Sequence, residues 1–199
     1  MSTLAARPPV LVDAFLPAVG WRDAAVVVGG ALLVALAAQI EIPLPFTPVP
    51  LSGQTFAVSL VGASLGSRRG ALSLGLYLLL GALGAPFYAG GAGGLDTLLG
   101  PTVGYLVGFV GSAALIGALA ERRADRRPLT TFLSFLTGSL VVFACGVAGL
   151  VLTADMSPGE AVLKGVLPFI PGDLVKSALA AGLLPGTWRL VERFRAPSA

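Results

Sequence analysis

All eleven arginines of this chain fall in alternate connections between long uncharged runs. Arg7 and Arg22 precede the first run, Arg68 and Arg69 follow the second, Arg122, Arg123, Arg126 and Arg127 follow the fourth, and Arg189, Arg193 and Arg195 close the last. The intervening connections hold no arginine and one lysine, Lys164. Positive side chains are retained on the cytoplasmic face of a membrane. An even number of crossings brings every arginine to that face, whereas an odd number scatters them. The runs approximate residues 24–40, 52–66, 70–85, 102–120, 132–153 and 172–193. The expected fold is therefore all-α: one integral membrane bundle of six transmembrane helices over residues 1–199, with both termini cytoplasmic and a short cytoplasmic segment, 1–22, ahead of the first helix.

Composition supports the membrane reading. The chain is 55% hydrophobic and 12% charged, about half the charge of an ordinary soluble domain. The pI near 9.5 follows from the one-sided arginines and needs no nucleic acid as partner. Arg7-Pro8-Pro9 followed by Asp13 does not read as a cleavable signal.

Absences bound the chemistry. No histidine is present, which removes the commonest general base and metal ligand and excludes a Ser-His dyad or a zinc peptidase. No G-x-x-x-x-G-K-[ST] loop occurs, so the chain does not hydrolyse ATP by that route. The single cysteine, Cys145, lies in an apolar run and reads as a small hydrophobe. These features point to a protein that captures a small molecule, with no catalytic residues, no metal and no cofactor. The rival in another class is a membrane enzyme acting on lipids with Asp96 and Asp173 as acid groups.

Asp173 and Lys176 are the main candidates for function. Asp173 and Lys176, three apart in Pro171-Gly172-Asp173-Leu174-Val175-Lys176, share one helical face at the start of the last run. Charges at the edge of hydrocarbon are costly and turn inward or toward water. They read either as donor and acceptor for a ligand or as a structural pair locking the bundle. Gly90, Gly91, Gly93 and Gly94 form either a flexible loop or a place where backbone approaches a ligand. Phe87 and Tyr88 just before them stack on a flat ring or anchor the interface. Asp96 is the one acid of that connection, and Gln54 opens the second run. Ala31 and Ala35 in the first run make a small-xxx-small step, as do Ala25 and Gly29, suited to internal packing or to a partner helix. The segment Glu41 to Leu51 has four prolines, which makes it stiff and non-helical.

Three segments carry a resemblance. They are Ala37-Ala38-Gln39-Ile40 with Ile42-Pro43-Leu44-Pro45-Phe46-Thr47-Pro48-Val49-Pro50 and Gln54-Thr55-Phe56; Gly84 to Gly94 running to Gly100-Pro101-Thr102-Val103-Gly104-Tyr105; and Pro168 to Lys176. In this order they resemble BioY, the biotin-specific S component of energy-coupling factor (ECF) transporters, over about residues 24–185. The resemblance implies high-affinity capture and uptake of biotin across the cytoplasmic membrane, with Asp173 and Lys176 contacting the ligand and Phe46 to Pro50 as a lid. Gly90 and Asp96 are then the nearest matches to polar contacts of the Gly-rich segment. Two ATPase subunits that use ATP and a transmembrane coupling subunit are implied partners, the last docking on the small-residue face of the first helix at Ala31 and Ala35. The same scaffold selecting another vitamin remains the nearest alternative.

Overall fold

A computed structural model describes residues 10–15 and 20–195. The remainder of the expected N-terminal segment, 1–9 and 16–19, lies outside the described residues. The chain is helical: α1 (Gly20–Ala38), α2 (Gln54–Leu65), α3 (Ser67–Ala82), α4 (Leu95–Leu98), α5 (Val103–Ala120), α6 (Pro128–Thr153), α7 (Pro158–Gly165) and α8 (Ile170–Arg195). Two short strands, β1 (Glu41–Ile42) and β2 (Leu51–Ser52), pair antiparallel with Glu41 opposite Ser52.

Among the described residues, four helical stretches are long and apolar enough to cross a membrane: Gly20–Ala38, Val103–Ala120, Pro128–Thr153 and Pro158–Phe194, the last joining α7 to α8. Gln54–Leu65 is apolar but shorter. It meets α3 through Gly66, whose φ of +88° is open to glycine at little cost. Pro128 sits in the first turn of α6, where its missing N–H has no partner to lose, so this helix begins earlier than hydropathy alone suggests.

Lipid supplies no hydrophobic drive between helices, so close backbone approach does the packing. The α5–α6 contact shows this. The position of a side chain on Gly104 is occupied by the Cys145 carbonyl, and the two helices meet there with Gly149 alongside. At the α2–α3 turn the Glu121 carboxylate accepts from the Ser67 amide at 2.9 Å and the Ser67 hydroxyl at 2.8 Å, satisfying the start of α3.

Ala31 and Ala35 are buried, at 0% and 6% exposure, within the chain's own core beside Val34 and Val58. The expectation that these two residues form a partner-docking face is corrected by that placement. The opposite edge of α1, with Ala24, Ala25, Val28 and Gly29, is exposed.

Candidate ligand-binding site

Opposite the arginine-bearing turns, the connections 41–52, 88–102 and 166–173 converge over a cavity of about 310 Å³. Vitamin-sized pockets start near this volume. The proline-rich segment crosses it as a strap. Its prolines prevent helix, so the segment leaves α1, pairs briefly as β1 and β2, and enters α2. Pro48, Val49, Pro50 and Leu51 face the cavity.

One wall is polar. The Lys176 ammonium donates to the Ser52 carbonyl and to Thr55 Oγ1, each at 2.7 Å. This ties α8 to the strap and to the first turn of α2. Asp173, 8% exposed, lies one turn earlier on α8 with the Ser139 hydroxyl in hydrogen-bond reach. Asp173 and Lys176 interact across space, but no ion-pair contact closes between them. Each therefore keeps capacity toward the cavity. Gln54, 6% exposed, accepts from the Ser52 hydroxyl at 2.9 Å and donates to the Tyr77 hydroxyl at 2.6 Å. Its amide is thereby fixed on the cavity wall.

Much of the remaining lining is aromatic and aliphatic: Tyr105, Phe109, Phe143 and Phe169 with Leu106 and Val142. The Tyr105 hydroxyl donates to the Gly165 carbonyl at 2.7 Å, pinning α7 over this side. Glu41, Asp96 and Thr97 also line the cavity.

Of the residues expected from sequence, Asp173, Lys176, Gln54, Asp96 and Tyr88 line the cavity. Tyr88 does so with its ring turned away. Its hydroxyl donates to the Leu78 carbonyl at 2.7 Å, its ring packs edge-on to Tyr77, and it fills the space over Gly81. Burial pushes its phenol above the usual value, which keeps it a neutral donor. Phe87 stacks on Tyr77 outside the lining. Phe46 points outward, 53% exposed, and its strap neighbours contribute instead. Gly90 is not a lining residue either; it carries φ +65° and makes room for the Glu41 carboxylate behind it. Glu41, Thr55, Tyr105 and Phe143 escaped sequence reasoning. The polar pair Ser52 and Thr55 flanking Gln54 was the available signal for one of them.

Among the described residues no group of three or more His, Cys, Asp or Glu is placed to hold a metal ion. The wall chemistry suits a small molecule with a flat polar head presenting both donors and an acceptor, and an apolar body.

The BioY family model matches residues 9–193. A biotin transporter BioY from Rhodobacter capsulatus is 40% identical over 180 residues, covering 85% of this chain and 91% of that protein. One from Rhizobium etli is 38% identical over 158 residues, covering 76% and 84%. The crystal structure of the S-component for biotin from an ECF-type ABC transporter superposes with a TM-score of 0.74 at 24% identity, over 90% of this chain and 93% of that one. At that identity the superposition speaks for the fold.

Proposed function

Because the chain belongs to the BioY family, we propose that it captures biotin and serves its uptake across the cell membrane as the substrate-binding S component of an ECF transporter. It is a transporter component and not an enzyme, and biotin is its substrate. The observation that carries the reading is a vitamin-sized cavity whose polar wall holds a buried acceptor, Asp173, and an anchored donor, Lys176, on one face of α8.

The ureido ring of biotin presents two N–H donors and one carbonyl. Asp173 accepts from an N–H and Lys176 donates to the carbonyl. Charge-assisted bonds of this kind contribute about 1.5–3 kcal/mol each. Tyr105, Phe109, Phe143 and Phe169 shield the bicycle and tail from water.

Six crossings by α1, α2, α3, α5, α6 and α8 put the arginine-bearing turns and both termini on the cytoplasmic side and the cavity on the outer side. The one-sided arginines support this. A transmembrane coupling subunit and two ATPase subunits supply the energy. With Ala31 and Ala35 inside the bundle, the coupling subunit meets the exposed edge of α1 at Ala25 and Gly29, where a side chain built on Gly29 meets nothing within 4 Å. A competition panel against labelled biotin tests the function: unlabelled biotin displaces the label, and thiamine, riboflavin and lipoate do not. Preference for any of the other three overturns the assignment.

A further inference from the structure

The chemistry of the cavity changes from floor to mouth. At the floor Asp173 and Gln54 are buried and Lys176 is held on Ser52 and Thr55. At the mouth stand half-buried Glu41 and exposed Asp96, both acids, and both on the lining. Among the described residues neither closes an ion pair with a basic side chain.

Glu41 is held there by two features of the backbone. Its partner across the β1–β2 pair is Ser52, the residue whose carbonyl anchors Lys176. Its carboxylate rests against Gly90: a β-carbon at that position would lie 2.5 Å from Glu41 Oε1. The bare, positive-φ glycine leaves room for an acid at the cavity edge, and any side chain at residue 90 would displace it.

Biotin has unlike ends, so this gradient selects an orientation. Entering tail-first brings a carboxylate against buried Asp173 as well as Lys176, so repulsion from the acid offsets attraction to the ammonium. Entering head-first matches the Asp173 acceptor to a ureido N–H and the Lys176 donor to the ureido carbonyl, with no like charges opposed at the floor. The tail then ends between Glu41 and Asp96. There its carboxylate meets like charge, softened by the high dielectric of an exposed rim. Capping that carboxylate removes the repulsion, and an ammonium beyond the cap reverses it.

Resting on the biotin reading above, we propose that the cavity takes biotin ureido-end first and that Glu41 and Asp96 make its mouth selective for tails without negative charge, so that biotin amides bearing an ammonium are ligands of this chain alongside biotin. The extension projects outward past Glu41 and Asp96, both of which line the cavity.

The test is competition for tritiated biotin on the purified full chain in lipid nanodiscs. The competitors are biotin, its methyl ester and its amide with ethylenediamine, at low and high salt. The cationic amide binds tightest and biotin weakest at low salt, with about threefold between them, and the spread narrows as salt screens the rim. Glu41→Gln and Asp96→Asn tighten biotin and weaken the amide. These opposite shifts are ones that a general folding defect, which weakens every ligand, does not produce. An amide weaker than biotin at low salt, or variants that shift both ligands the same way, overturns the proposal. Failure of tritiated biotin itself to bind the wild-type chain overturns the underlying biotin assignment instead.

Discussion

The Lys176 ammonium and the Thr55 hydroxyl meet at 2.7 Å, joining the outer part of α8 to the first turn of α2. A lysine free in an open cavity would lose side-chain entropy when it met a ligand. Here two fixed acceptors, Thr55 Oγ1 and the Ser52 carbonyl, have already ordered it, and a third donor direction remains. The site is preorganised by its own framework.

Thr55→Val removes one of the two acceptors and leaves the lysine. Biotin affinity is expected to fall about tenfold, or ~1.4 kcal/mol, with little change in the melting temperature. Isothermal titration of the purified variant measures this. Unaltered affinity would mean that the anchoring of Lys176 has no bearing on binding.

Tyr77→Phe leaves the buried Gln54 amide without its acceptor. An unsatisfied buried donor costs about 1–3 kcal/mol. The melting temperature in detergent falls, and affinity falls with it, because Gln54 lies on the cavity wall. Stability equal to wild type would show that the Gln54 amide finds another partner.

Gly104→Val forces α5 and α6 apart, since the Cys145 carbonyl fills the only space for a side chain. Overpacking of this kind costs ~1–3 kcal/mol where neighbours can shift, and here the neighbour is backbone. The expected outcome is a severe loss of folded protein by size-exclusion chromatography. A monodisperse variant of wild-type stability contradicts the tight α5–α6 seam.

At the other end of the molecule, Trp188 Nε1 donates to the buried Asp125 carboxylate, and the Arg126 guanidinium lies 3.2 Å from the centre of the Trp188 ring. Burial raises the Asp125 pKa, with the Trp188 bond and Arg126 acting against it. A carboxyl whose folded pKa is raised binds its proton more tightly in the native state. Its contribution to stability is therefore complete below the ordinary carboxylate range and is lost as pH rises through the raised value. Melting curves from pH 7 down to pH 4 should show wild type gaining on Asp125→Asn as pH falls. A difference that is flat across the range contradicts the raised pKa.

Charge in an apolar context was the legible signal. Asp173, Lys176, Asp96 and Gln54 stand out in sequence because so little around them is polar, and all line the cavity. Side-chain direction in irregular segments was not legible. Phe46 and Val49 share one proline-rich segment, yet Val49 is buried and Phe46 exposed, because the direction of each follows from the β1–β2 pairing and the turns between. Tyr88 turns down because Gly81 opens a slot for its ring, a relation between residues that are not neighbours in sequence. For Ala31 and Ala35, a small-xxx-small step suits internal and external contacts equally, and only the position of α2 and α3 around α1 decides between them. Glu41 escaped notice because its value lies in facing Gly90 across the fold.

Affinity of Asp173→Asn for biotin is the most direct test of recognition by this site. The substitution keeps size and removes the charge of the acceptor proposed to hold the ureido N–H. A loss of at least tenfold, with the variant still folded, is the predicted result. Wild-type affinity in a folded Asp173→Asn protein would contradict the account of how this cavity holds its ligand.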